Sequence, residues 1–317
     1  MREYILRRLL ILPVIMLGVS FLTFLSFRLI PGDVVDIGCG FQCDDATREA
    51  IREQYGLNKP LLTQYWDWLS GIPSGDFGHS FRGNLAVSTE LERRMPITIQ
   101  LLIMTMTFSI GLGIPLGMLS AVRPGSLWDG MSRFASILWL SVPAFYSGTL
   151  VIIFGSLWLA WVPPQFATGY VSPFEDPLTN LEQFLLPALI LAFGSAGVII
   201  RVTRSSMLEV MRNDYIRTAW SKGLRERTVV WRHALKNALI PVVTLLGLEA
   251  GGLIGGAVII ESIFGLNGVG VYVVQSVISR ELLVVQALAL IFAFTYVLIN
   301  LIVDVLYAWL DPRIRYA

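Results

Sequence analysis

The sequence predicts an all-α membrane protein with six transmembrane helices and both termini cytoplasmic. It adds a helical cytoplasmic loop between the fourth and fifth spans and a large external loop after the first. Three observations carry this reading. Of 317 residues, 55% are apolar and only 15% charged, a balance unlike that of soluble globular domains. Apolar runs long enough to cross ~30 Å of hydrocarbon at ~1.5 Å per helical residue recur at about 9–30, 97–121, 134–161, 184–200, 239–263 and 282–310. The basic residues fall on one side: sixteen lie in segments that are inside if the N-terminus is, against Arg280 alone in the two short outer loops.

Residues 1–30 hold a short cytoplasmic terminus and the first span. Arg7-Arg8 before an apolar run resembles a secretion signal, but the run is too long and ends in Pro31-Gly32-Asp33 rather than a small-x-small cleavage site. It reads as a retained span, with Arg28 reaching the interface or a solute. Residues 31–95 form the external segment, with ten acidic residues against six basic. Helical spacing covers 44–55, stopped by Gly56, and a second short helix from Pro60 carries Tyr65, Trp66 and Trp68. Cys39 and Cys43 are the only cysteines. On an external face they suit a disulfide, though free thiols or a metal remain open; the two histidines, His79 and His233, are too few and too separated to complete a metal site.

Residues 96–317 form a five-helix core. Gly111, Gly113, Pro115 and Gly117 punctuate its first span and Pro143 interrupts the next. Such residues serve close packing, or a kink along a pathway that moves during gating. Between spans, at 205–240, lies the longest basic stretch. Met207, Leu208, Met211, Tyr215 or Ile216, Ala219 and Trp220 follow helical spacing, and Gly223 falls where a left-handed residue ends a helix. A second helix resumes at 226–239. Two short helices meeting at a glycine corner make a knob suited to another protein's groove. The alternative is a basic amphipathic segment on anionic lipid, which needs no such corner. In the fifth span Gly251-Gly252 and Gly255-Gly256 offer a small-residue face. Glu249 and Glu261 there, with Asp304 in the last span, must face protein or water; Glu249 suits either a pathway lining or a buried hydrogen bond.

Specific phrases now matter. Arg217-Thr218-Ala219, three residues and Gly223, closed by Pro241, resembles the "EAA" loop of ABC importer permeases in the longer form of the dipeptide/oligopeptide/nickel family. Tyr-Gly-Leu-Asn-Lys-Pro at 55–60, Gly-Asp-Phe-Gly-His-Ser at 75–80 and the glycine-rich 256–270 are similar to the same family, and the long segment after the first span resembles its B-type member. The resemblance implies a multi-pass permease of a prokaryotic plasma (inner) membrane. Its partners would be a second homologous permease subunit, two cytoplasmic ATP-binding subunits and an external solute-binding protein. It implies ATPase docking through Asp214, Tyr215, Arg217, Thr218, Ala219, Lys222 and Gly223, and transport of di- or oligopeptides, with nickel, opines or oligosaccharides as alternatives. Pathway candidates are Glu249, Glu261 and Pro143.

The sequence lacks a G-x-x-x-x-G-K-[ST] phosphate loop, a His-Glu-x-x-His zinc motif and a Gly-x-Ser-x-Gly elbow. The chain is therefore expected to have no catalytic residues, metal or cofactor, leaving ATP and magnesium to its partners. A net charge of +1 gives no basis for nucleic-acid binding. An ion-coupled secondary transporter is the rival class, disfavoured by the lack of a conspicuous inverted repeat.

Overall fold

The computed structural model describes residues 2–29, 35, 44–54, 56–80 and 85–310. Apart from one isolated bridge between His79 and Ala86, the described secondary structure is helical. The helices are α1 (Arg2–Arg28), α2 (Asp45–Gln54), α3 (Leu61–Gly71), α4 (Val87–Val122), α5 (Leu127–Ser141), α6 (Ala144–Leu159), α7 (Gln165–Thr168), α8 (Pro177–Met211), α9 (Asp214–Ser221), α10 (Glu226–Phe264), α11 (Val269–Ile278) and α12 (Leu282–Leu310). Among the described residues α1, α4, α8, α10 and α12 are long and apolar enough to cross a membrane, and α5 with α6 makes a sixth crossing if that bent pair is one span.

The third span expected at 134–161, interrupted at Pro143, is a pair of helices meeting at a sharp bend. The pair turns through 91° between Ser141 and Ala144. Pro143 cannot donate to the helical ladder, and its ring drives the preceding residue out of the helical region; Val142 accordingly takes φ −102° and ψ 115°. Two other expectations shift. The apolar run expected at 184–200 is only part of α8, which continues to Met211 and so carries Arg201, Arg204 and the start of the loop expected at 205–240. The helix expected at 226–239 is no separate piece, because it continues through a π-helical turn at Val229–Leu235 into the fifth span.

The described chain divides into two units. One comprises Arg2–Ile97 with Asn267–Val297. Its α3 is fastened to α1 by Tyr65, which is buried against Phe21 and Phe24 and hydrogen-bonded to Ser20 at 2.9 Å. Val87 and Leu91 of α4, Val269 of α11, and Val284, Ala287 and Leu288 of α12 form its apolar core. Arg94 lies over the Tyr272 ring at 4.9 Å and bonds Glu90 at 2.7 Å.

The other unit comprises Thr98–Leu266 with the chain from Leu298. Helix α8 is its centre, packed against both α5 and α10. Helix α4 approaches α8 closely because Gly117 has no side chain: a Cβ there would lie 2.8 Å from the Ile200 carbonyl oxygen. One turn on, a buried charge cluster ties three elements together. Arg204 of α8 grips Asp129 of α5 through Nε at 2.9 Å and Nη2 at 3.2 Å. Asp129 also accepts from Ser120 Oγ of α4 at 2.6 Å and from the Gly125 N–H at 2.9 Å. With Asp129 only 2% exposed, a bidentate guanidinium plus two further donors compensates its lost hydration.

Removing one side of that pair strands a buried charge. Arg204→Gln is expected to cost about 3 kcal/mol and lower the thermal unfolding midpoint of the purified protein. Arg204→Gln with Asp129→Asn should recover a large part of the loss; an unchanged midpoint in the single variant would show the pair to be dispensable.

Candidate functional site: a helical knob on the fifth span

The knob is built from the end of α8, all of α9 and the first turns of α10. Asn213 leaves the helical region at ψ 148° and opens α9, with Asp214 in the first turn where the positive helix end favours an acid. Its far end is a Schellman closure. The Gly223 N–H donates to the Trp220 carbonyl at 2.9 Å and the Leu224 N–H to the Ala219 carbonyl at 3.4 Å. Gly223 has φ +74°, which L side chains adopt only with strain. Leu224 then folds back onto the apolar cluster beneath.

That cluster fixes the knob. Ile216 (1% exposed) and Ala219 (6%) pack with Met207 of α8, Met118 and Ala121 of α4, and Val229, Val230, Ala234 and Leu235 of α10. The expected stripe is thereby resolved: Ile216 faces the core, whereas Tyr215 and Trp220 are each 42% exposed. Full burial of a side chain such as Ile216 is worth about 1.5–3 kcal/mol. Tyr215 adds a polar strut, its hydroxyl accepting from Asn237 Nδ2 at 2.8 Å and lying 3.5 Å from the His233 carbonyl.

The opposite face is exposed. It carries Asp214, Arg217, Thr218, Lys222 and Gly223, flanked by Tyr215 and Trp220. Asp214 and Arg217 pair at 3.6 Å with side chains 97% and 77% exposed. Such a surface pair contributes little to stability and leaves both charges available. Of the docking residues named from the sequence, only Ala219 is turned inward.

The pathway candidates are dispersed. Pro143 is exposed at the α5–α6 bend and Glu249 is half-buried in α10. Glu261 is fully buried and accepts a hydrogen bond from Thr98 Oγ1 at 2.6 Å. Cys39 and Cys43 lie outside the described residues. Among the described residues no cluster of three or more His, Cys, Asp or Glu could hold a metal.

Two polar groupings escape sequence reading. Asp129–Arg204–Ser120 joins residues far apart in the chain, although Ser126, which accepts from the Asp129 N–H at 3.3 Å, is a recognisable cap three residues ahead. At the other end of α8, Gln183 donates to the Gly169 carbonyl at 2.6 Å and Asn180 to the Val171 carbonyl at 2.8 Å. Gln165 reaches the Phe264 carbonyl. Together these amides tie the 160–176 connection to α8 and α10. Asp176 caps α8, and the hydroxyl and N–H of Thr179 hold its carboxyl below the usual carboxylate range.

Comparison with known proteins gives these features a family. Residues 113–316 match the family described as binding-protein-dependent transport system inner membrane component, and residues 1–102 match its N-terminal membrane component. A relative from Brucella abortus (strain 2308) is 41% identical over 302 residues, 95% of each chain. The oligopeptide transport system permease protein AppB of Bacillus subtilis (strain 168) is 39% identical over the full length of both chains. The glutathione transport system permease protein GsiC of Pectobacterium atrosepticum is 38% identical, again full length. An inward-facing structure of the MetNI methionine ABC transporter shares the fold, with TM-score 0.55 and 18% identity over 70% of this chain and 96% of that one. With its apolar crossing helices and near-complete coverage by both matches, the chain belongs to the binding-protein-dependent transport system inner membrane components, the multi-pass permease subunits of ABC transporters.

Proposed function

We propose that this chain is one of two homologous membrane subunits of an ATP-driven importer of di- or oligopeptides. In this reading both termini and the α9 knob are cytoplasmic, and residues 31–95 meet an external solute-binding protein. The two ATP-binding subunits hydrolyse ATP and magnesium stays with them. Peptide is the favoured solute because the full-length relatives are named for oligopeptide, dipeptide and glutathione transport. The observation that carries the coupling role is mechanical. The knob exposes Asp214, Arg217, Thr218 and Lys222 on one face, while Ile216 and Ala219 lock it onto the ends of α4, α8 and α10. A push on α9 therefore acts on those helices together, shifting the balance between two conformations rather than performing chemistry. Glu249 and Pro143 offer surface to a pathway in this conformation; Glu261 would reach it only on rearrangement of its bond with Thr98.

Pairing with a second subunit is supported by α10. Its exposed residues Leu248, Gly252, Gly255 and Ile259 fall on one helical stripe, and a Cβ on either glycine would meet nothing within 4 Å in this chain. Small residues on such a stripe let another helix approach closely.

Two experiments follow, the first in liposomes holding the assembled importer and its binding protein, the second a pull-down of the two coexpressed permease subunits. Gly223→Val strains the left-handed corner by about 1–3 kcal/mol without steric conflict and should abolish peptide-stimulated ATP hydrolysis and uptake. Gly223→Asn, which tolerates that backbone, should retain most of both; full uptake by the valine variant would refute coupling through this corner. Gly252→Leu with Gly255→Leu should reduce recovery of the two-permease assembly in pull-down while each chain still inserts, and unaltered recovery would place the subunit contact elsewhere.

A further inference from the structure

A groove of about 440 Å³ opens beside the knob, where the end of α4 meets the start of α5 and the first turns of α10. Its floor is apolar, formed by Met118 and Val122 of α4 and Val230 of α10. Two tryptophans flank it, Trp128 at 53% exposure and Trp231 at 54%. Arg123 and Arg227 stand in its lining, both exposed, and among the described residues neither side chain has an ion-pair or hydrogen-bond partner. One acid, Glu226, shares the lining; it lies in the first turn of α10, where the positive helix end offsets part of its charge. From the same end of α5, exposed Leu127, Met131, Phe134 and Leu138 run down one helical face.

We propose that this groove binds one anionic glycerophospholipid. The phosphodiester lies between the Arg123 and Arg227 guanidinium groups, whose planar forks suit phosphate oxygens. Trp128 and Trp231 occupy the headgroup level, where amphipathic rings are favoured. The acyl chains leave along the floor and the Leu127–Leu138 face. Charge complementarity selects the occupant: two unpaired cations against a single acid call for an anionic head, and the apolar floor calls for hydrocarbon. A free anion would leave the floor wet, and a zwitterionic lipid would bring its own cation towards the arginines. Basic pockets between membrane helices recruit anionic headgroups by this combination. The inference needs only the membrane setting of the chain and stands apart from the solute and from ATPase docking.

Tryptophan quenching by brominated lipid tests it in the detergent-purified full-length protein with its copurifying subunits. The chain has nine tryptophans, so the signal is the difference between the wild type and a W128F/W231F variant. Brominated phosphatidylglycerol should quench that difference emission more strongly than brominated phosphatidylcholine at equal mole fraction. Arg123→Gln with Arg227→Gln should cut the preference about tenfold or more, while the paired lysine variant, which keeps both charges, should retain much of it and controls for folding. Equal quenching by the two lipids, or an undiminished preference in the glutamine variant, overturns the proposal. So does a preference seen in the isolated permease but lost once ATP-binding subunits are present, which would assign the groove to a protein contact.

Discussion

The contact of Ile216 and Ala219 with the ends of α4, α8 and α10 is the constraint on which the knob depends. A short helix of eight residues is not stable alone in water, since nucleation consumes most of what its few hydrogen bonds return. Here two buried side chains supply the missing free energy, and the Schellman closure at Gly223 satisfies the carbonyls at its end. The helix is thus rigid where it is most exposed, a condition any docking surface must meet to transmit force rather than absorb it.

The same contact explains why the knob is not a separate module. Helix α10 passes from Glu226 through the π-helical turn into the membrane span without a break. π-Helical turns widen a helix locally and often mark functional positions. At this one the His233 carbonyl accepts from the Asn237 side chain at 3.1 Å and lies near the Tyr215 hydroxyl. Knob and span are therefore joined by covalent continuity on one side and by apolar packing on the other. The Asp129–Arg204 cluster does comparable work beside them, holding the α4–α5 connection to α8 with charge-assisted bonds that a low-dielectric setting strengthens. A permease that alternates between states needs such fixed blocks, so that movement falls between them.

Much of this was legible without coordinates. Length and apolarity of the runs gave the membrane class and the position of most spans, because the thickness of hydrocarbon sets a minimum that few soluble helices meet. Gly223 announced the corner because few other residues take a positive φ without strain. Arg217, Thr218 and Lys222 were named as docking residues and lie exposed on α9. The choice between Tyr215 and Ile216 stayed open, since residues adjacent on a helix differ by only ~100° and a stripe cannot say which one the core will take.

Tertiary structure alone decided the rest. Pro143 marked a break, but the 91° angle depends on what α5 and α6 each pack against. In the sequence Arg204 is one of many basic residues on the inner side; in the fold α8 continues through it and Asp129 lies within reach of its guanidinium. Glu261 is a costly intramembrane acid in the sequence and a buried hydrogen-bond acceptor of Thr98 in the fold. The division has one physical reason. Hydrophobic length, helix stops and backbone sign are local properties, written within a few turns of chain, whereas the partner of a buried charge comes from another helix, and only packing brings the two together.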